Sequence, residues 1–213
     1  MKDRAKAQFE RWARSYDRSL LHHFLFRSSY VALMEEIARW RAEHDQPFRV
    51  LDIGCGTGEL AAMLARSDWE VTAVGLDYSP AMCRAADAKL AGLGSTGRAG
   101  FVAADSEFLP FADASFDVVT CSNSFHHYPH QQNVVHGVRR VLRPGGRFVL
   151  IDGFRDNVVG WVTFDVIVSR IEKGVYHAPW SVIDGYFRAA GFTNIRRRKI
   201  NFWMPLCITV GEV

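Results

Sequence analysis

The sequence predicts an α/β fold, a three-layer sandwich around a mostly parallel seven-stranded sheet that ends in an antiparallel C-terminal hairpin. Two patterns carry that expectation. From Phe48 onward, short apolar runs alternate with helix-length stretches, the signature of βαβ units whose strands are buried on both faces. After Gly191 two runs, at 192–201 and 203–210, are separated by almost nothing, and so short a link joins only antiparallel neighbours. A length of 213 residues, 48% hydrophobic, suits one domain with a full-sized core.

Taken in order, the chain opens with Phe9, Trp12, Ala13, Tyr16, Leu20 and Phe24 on one helical stripe and Arg11, Arg14 and Arg18 opposite. Plain packing, a lid over a bound ligand and a membrane-surface helix are the competing readings, and the lid, over residues 1–45, is favoured. The polar stretch 43–47, closed by Pro47, marks the seam with a core at 46–213. Strands are expected at 48–53, 71–76, 101–104, 116–122 and 147–151, with helices between them. Ser79 followed by Pro80 reads as an N-cap, and Pro144-Gly145-Gly146 stops a helix carrying Val134, Val135, Val138, Val141 and Leu142. An insertion at about 155–180 is rich in aromatic residues, and a helix at 182–190 stops at Gly191 before the hairpin.

Charge and composition narrow the function classes. A formal net charge of +3 is too small to imply a nucleic-acid or acidic-membrane partner. Arg196-Arg197-Arg198-Lys199 reads as a solvated strand face, since alternation sends its cations to both sides of an edge hairpin, so nucleic acid is disfavoured. Cys55, Cys83, Cys121 and Cys207 lack metal-ligand spacing, which implies reduced, buried thiols and no metal site. A charged N-terminus without an apolar leader, and no long apolar segment, imply a cytoplasmic protein.

The most informative stretch is Asp52-Ile53-Gly54-Cys55-Gly56-Thr57-Gly58, entered from Val50-Leu51. Three glycines at alternate positions after a strand allow a tight turn and let backbone N–H groups approach a ligand with no Cβ in the way. A dinucleotide would bring a pyrophosphate and want its third glycine one position later, where Glu59 stands, and Asp52 and Glu59 would both repel it. No Gly-Lys-Ser/Thr follows, so a P-loop is excluded. A nucleotide-type ligand with a positive group is favoured instead, and S-adenosylmethionine carries an ammonium and a sulfonium. A dinucleotide and a purely structural turn are the alternatives. Asp77, ending the second strand, is placed to accept hydrogen bonds from both ribose hydroxyls. Helix capping is the plainer reading of Asp52 and Asp77, as core packing is of Tyr78 and Met82.

Several motifs in this order resemble those of class I S-adenosylmethionine-dependent methyltransferases, from about residue 9 to the end, and most of all the small-molecule group of the ubiquinone and menaquinone pathways. They are the glycine loop, Gly75-Leu76-Asp77-Tyr78-Ser79-Pro80-Ala81-Met82, Ala104-Asp105-Ser106-Glu107 with Leu109-Pro110-Phe111, Phe116-Asp117-Val118-Val119-Thr120-Cys121-Ser122-Asn123 with Phe125-His126-His127, and Val141-Leu142-Arg143-Pro144-Gly145-Gly146. The resemblance implies a Rossmann-like core and methyl transfer from S-adenosylmethionine to a small-molecule acceptor, with S-adenosylhomocysteine as product. It implies that Asp52, Gly54, Cys55, Gly56 and Gly58 surround the methionine part of the cofactor and Asp77 the ribose. Tyr78 and Met82 would flank the adenine, with Asp105 and Ser106 at its amino group, and Ser122 and Asn123 would face the transferring methyl. In Ala13-Arg14-Ser15-Tyr16-Asp17, Tyr16 would meet the methionine carboxylate. His126-His127 stands where the quinone enzymes usually read Arg-Asn, so quinone specificity is not implied.

Transfer from a sulfonium is an in-line displacement, so alignment and exclusion of water are the main demands on the protein. If the acceptor is a hydroxyl or a protonated amine, His126 or His127 is the candidate base and the other is structural. Trp161, Phe164, Tyr176, His177 and Trp180 are candidates for a cap over a planar or apolar acceptor, with simple packing as the rival. Two other classes stay open, a nicotinamide-dependent oxidoreductase and a non-catalytic protein that binds S-adenosylmethionine.

Overall fold

Parallel strands buried on both faces must be apolar at successive positions, with neighbours pointing into opposite layers. In the computed structural model, which describes residues 20–94, 97–153, 175–200 and 206–213, five strands run parallel in this way. They are β1 (Phe48–Ile53), β2 (Val71–Asp77), β3 (Ala99–Ala103), β4 (Phe116–Ser122) and β5 (Leu142–Gly153). β6 (Thr193–Lys199) and β7 (Leu206–Glu212) are antiparallel, and β7 inserts between β5 and β6. The order is β3-β2-β1-β4-β5-β7-β6. Winding therefore reverses between β1 and β4, which opens a crevice at the C-terminal ends of those strands.

The helices are α1 (Leu20–Glu43), α2 (Glu59–Arg66), α3 (Pro80–Gly92), α4 (Gln131–Val141) and α5 (Trp180–Ala189). Val50, Val118 and Val149 point to one core with Leu33, Ile37 and Trp40 of α1 and Leu60 and Leu64 of α2. Their neighbours Leu51, Val119 and Leu150 point to the other, with Val134 and Val138 of α4 and Phe187 of α5. Ser79 caps α3 by accepting the Met82 N–H at 3.4 Å, with Pro80 at the first turn, as the sequence predicts.

Three local expectations are corrected. β5 begins at Leu142, five residues before the expected 147, because Pro144-Gly145-Gly146 ends α4 yet continues as extended chain. A shift of register between Phe116 and Val118 absorbs it, and a Cβ on Gly146 would lie 2.8 Å from the Arg143 carbonyl. Second, the described part of the expected lid, α1, is packed on the core. Leu33 and Ile37 are fully buried, Trp40 is 2% exposed, and the Trp40 indole N–H donates to the Gly145 carbonyl at 3.0 Å. Residues 1–19 of the expected lid, Tyr16 among them, lie outside the described residues.

Third, the basic run of β6 is paired, not merely solvated. Arg196 and Arg198 share one face and reach Glu36 (2.8 Å) and Glu35 (2.7 Å) of α1. Arg197 and Lys199 share the other and lie over the Trp180 ring at 5.8 and 5.6 Å. Among the described residues no helix is long and apolar enough to cross a membrane.

Phe187, fully buried, stacks on Phe148 with ring centroids 5.0 Å apart. Phe187→Ala should cost about 3–5 kcal/mol in urea unfolding, through the cavity left between α5 and the sheet. Val182→Ala on the same helix, at a side chain 38% exposed, should change stability by less than about 0.5 kcal/mol.

Candidate active site

The chain leaves β1 by folding back over β2, where the Gly54 and Cys55 N–H groups both donate to the Leu76 carbonyl at 2.7 and 3.1 Å. All three loop glycines have positive φ, but each is required for a different reason. A Cβ on Gly54 would lie 2.6 Å from the Ser124 Cβ and 2.7 Å from the Tyr128 hydroxyl, so the loop after β4 rests directly on it. A Cβ on Gly58 would meet Ala86 at 2.8 Å and the Phe101 ring at 2.9 Å. On Gly56 it would meet nothing within 4 Å. Only the middle glycine faces open space, and that space is a cavity at the mouth of the crevice.

The cavity wall brings together Gly54, Cys55, Gly56, Asp77, Tyr78, Met82, Asp105, Ser106, Ser122, Asn123 and His127 of the expected set. Asp77 ties two of its loops together, one carboxylate oxygen accepting the Gly56 N–H at 2.9 Å and the other the Ser79 N–H at 2.8 Å. Each oxygen keeps acceptor capacity for a ligand. Burial raises the Asp77 pKa above the ordinary carboxylate value, and the two N–H groups hold it back.

Asp52 and Gly58 do not reach the wall. Asp52 is in register with Thr120 of β4, so its carboxylate accepts the Thr120 hydroxyl at 2.7 Å beneath the loop. Burial pushes its pKa up to about 7, with the Thr120 bond opposing and Asp77 adding repulsion. Glu59, expected to repel a phosphate, is paired with Lys89 at 3.0 Å, and Lys89 also donates to Thr57 at 3.2 Å. Asp52 and Asp77 are thus the buried carboxyl groups around the loop.

The two histidines part company. His127 lines the cavity, whereas His126 is buried with its Nδ1 2.6 Å from an Asp152 carboxylate oxygen. The other Asp152 oxygen accepts the His126 backbone N–H at 2.8 Å, and the Gly153 N–H donates to the first at 2.7 Å. Burial alone would raise the Asp152 carboxyl, but the charge and hydrogen bond of His126, then His177 and the Gly153 N–H, outweigh it and hold it below the usual carboxylate range.

Of the expected acceptor cap, Trp161 and Phe164 lie outside the described residues. Tyr176 and His177 dock on the turn after β4: the Tyr176 N–H donates to the His126 carbonyl at 2.6 Å, Gln131 donates to the Tyr176 carbonyl at 2.7 Å, and the His177 ring stacks on His126. Trp180 instead turns to the cations of β6. His126, Asp152 and His177 also bring three metal-capable atoms within 4.8 Å of one another, a grouping that cysteine spacing gave no reason to expect.

Sequence reasoning missed Phe26 and Tyr30, which α1 presents to the cavity, and Thr57, Ser79, Ser124, Tyr128 and Asp152. Only Asp152 carried a readable signal, since an acid at the C-terminal end of a parallel strand was the criterion that picked out Asp52 and Asp77.

Residues 50–146 match the family model of a methyltransferase domain. The demethylmenaquinone methyltransferase of Thermotoga maritima is 32% identical over 196 residues, 83% of this chain and 77% of that one. The 27-O-demethylrifamycin SV methyltransferase of Amycolatopsis mediterranei is 41% identical over 104 residues, 49% of this chain and 38% of that one. The YcgJ protein of Bacillus subtilis has a similar structure, with a TM-score of 0.66 and 29% identity over 81% of this chain and 70% of that one. The chain spans 34% to 46% of the length of several curated relatives that it matches.

The raised pKa of Asp52 makes stability depend on pH. Between the ordinary value of 3.8 and about 7 the folded protein holds a proton that the unfolded chain has released, so stability falls as pH rises through that window. Asn at this position keeps an acceptor for Thr120 without the charge. Asp52→Asn should therefore melt near the wild-type temperature at about pH 4 and above it at about pH 8, and a wild-type melting temperature that does not fall relative to the variant's across this range would contradict the assignment.

Proposed function

The chain belongs to the class I S-adenosylmethionine-dependent methyltransferases of the ubiquinone/menaquinone-like small-molecule group, and we propose that it transfers a methyl group from S-adenosylmethionine to a small-molecule acceptor. The observation that carries this reading is the Gly56–Asp77 corner, where a backbone open to the cavity stands against a carboxylate fixed by two N–H groups.

The residues present fit the cofactor. The remaining acceptor capacity of Asp77 suits a vicinal diol, and the empty space over Gly56 is the room that a close-lying ligand needs. Tyr78 and Met82 offer apolar surface for an adenine, and Asp105 and Ser106 offer polar partners at its edge. Phe26 and Tyr30 line the cavity from α1 and would exclude water there. When bound, S-adenosylmethionine supplies an electrophilic methyl on a sulfonium and leaves as S-adenosylhomocysteine. A cation beside Asp52 and Asp77 would draw their raised carboxyls into the ionised form, which a pyrophosphate would oppose, and this argues against a nicotinamide dinucleotide.

The relatives' names point to apolar, ring-containing molecules, a demethylmenaquinone and a demethylrifamycin, and we take an aromatic or apolar small molecule as the acceptor class here. Nucleic acid is disfavoured because Arg196 and Arg198 are paired with α1. A membrane-surface role for α1 is disfavoured because Leu33, Ile37 and Trp40 are buried in the core. The cytoplasm is the compartment that suits four free, buried cysteines.

Asp77→Ala should weaken S-adenosylmethionine and S-adenosylhomocysteine equally, by roughly 1.5–3 kcal/mol in calorimetry, the scale of hydrogen bonds to a charged group. Gly56→Val has no protein atom to strike and should still fold, at some backbone cost from its positive φ, yet lose the cofactor. A folded Gly56→Val protein with undiminished affinity would overturn the placement of the cofactor.

A further inference from the structure

We infer that Asn123 is a specificity-determining residue whose amide oxygen selects a hydroxyl or amine hydrogen on the acceptor molecule, a reading that rests on the methyl transfer proposed above. Three non-glycine residues have positive φ among those described, Ala114, Asn123 and Asn194. Ala114 and Asn194 are exposed, and the Asn194 amide donates to Glu212 at 2.8 Å. Asn123, with φ 53°, is half-buried on the cavity wall.

Its backbone conformation puts it there. Along β4 successive side chains point to opposite layers, so an unbroken strand would send Asn123 into the core with Val119 and Cys121. β4 pairs with β5 as far as Ser122, and the Asn123 N–H makes the next bond, to the Ile151 carbonyl at 2.8 Å. The left-handed residue then breaks the alternation and leaves its side chain at the mouth of the crevice. Asparagine adopts this conformation more readily than most residues, but glycine does so at less cost. A turn alone therefore does not call for an amide, and a backbone outlier at a ligand cavity points to a role for its side chain.

The amide is held at one end. Its Nδ2 donates to the Ser122 Oγ at 2.8 Å, and the side chain makes no other hydrogen bond among the described residues. The amide oxygen is thus the acceptor that Asn123 offers to the cavity. An amide oxygen takes a hydrogen bond without taking the proton, so Asn123 orients and discriminates and performs no acid–base step. Its place in the fold assigns this oxygen to the acceptor molecule. The groups that fit the cofactor, from the Gly56–Asp77 corner to Asp105, follow β1, β2 and β3, whereas Asn123 follows β4, beyond the point where strand order reverses. Within the aromatic or apolar class, a molecule with a hydroxyl or amine beside the reacting atom is then preferred to one without, because the analogue would leave the amide oxygen unpaired.

Two matched probes decide this before the natural acceptor is known. The full chain, ¹⁵N-labelled and saturated with S-adenosylhomocysteine, is titrated with p-cresol and with p-xylene, in which a methyl replaces the hydroxyl. Apolar burial alone favours p-xylene, so the sign of the difference is diagnostic. The wild type should bind p-cresol about tenfold more tightly, and p-cresol should shift the Asn123 side-chain amide resonance. Asn123→Gly suits the positive φ and should melt no lower than wild type, yet it should reverse the preference. Asn123→Asp keeps an acceptor oxygen and should restore it. Absence of a p-cresol preference in the wild type, or its survival in folded Asn123→Gly, would overturn the proposal. So would a loss of S-adenosylhomocysteine affinity in Asn123→Gly beyond about twofold in calorimetry, which would assign the amide to the cofactor. A wild type that prefers p-cresol but does not bind S-adenosylhomocysteine would count against the methyltransferase reading instead, and leave Asn123 as the residue that reads the donor.

Discussion

Two N–H groups, from Gly56 in the loop after β1 and Ser79 at the start of α3, donate to the one carboxylate of Asp77. That pair of bonds fixes the spacing between two loops that the sheet alone would leave independent. Parallel strands pair along their length, but their C-terminal extensions have no ladder partners and must find other acceptors. The same solution recurs at β5, where Asp152 gathers the His126 and Gly153 N–H groups, and in another form at β1, where Asp52 takes the Thr120 hydroxyl. Asp77 and Asp152 each supply, at one point, acceptors for donors from two elements, and Asp52 ties β1 to β4.

Burial sets the cost of this arrangement. Asp52 and Asp77 are pushed up in pKa by the loss of water, and Asp77 adds repulsion to Asp52, so both carboxyls resist ionising until a cation lies beside them. Asp152 goes the other way because imidazoles lie against it. One side of the crevice is therefore short of a cation and the other has its own. This asymmetry is a physical reason for a positively charged ligand to seat against the glycine loop.

The sheet was legible because period and apolar content fix it locally: runs buried on both faces give parallel strands, and a minimal link gives the hairpin. The glycine loop and Asp77 were legible because turn chemistry and a strand-end acid are sequence-local. What escaped were contacts made across long separations by residues that look ordinary in sequence. Gly54 resembles a ligand-binding glycine, yet its missing Cβ makes room for Ser124 and Tyr128. Phe26 and Tyr30 continue a helix whose other face is core, and nothing in the spacing distinguishes cavity from packing. The pairing of His126 with Asp152 spans 26 residues and depends on the register of β4 against β5.

Helix α1 serves the core and the cavity at once. The sequence suggested a cover over residues 1–45, and in the described part of that segment Leu33, Ile37 and Trp40 fill one layer of the core. Its polar face is equally committed, since Glu35 and Glu36 receive Arg198 and Arg196 from the edge strand β6. The helix therefore shields that edge, neutralises the basic run that might have suggested nucleic acid, and brings Phe26 and Tyr30 to the cavity as a fixed wall. Because Leu33, Ile37 and Trp40 are bound into the core, any motion that admits ligand must come from elsewhere than the packed part of α1, and a variant that loosens this packing would disturb stability before it altered access.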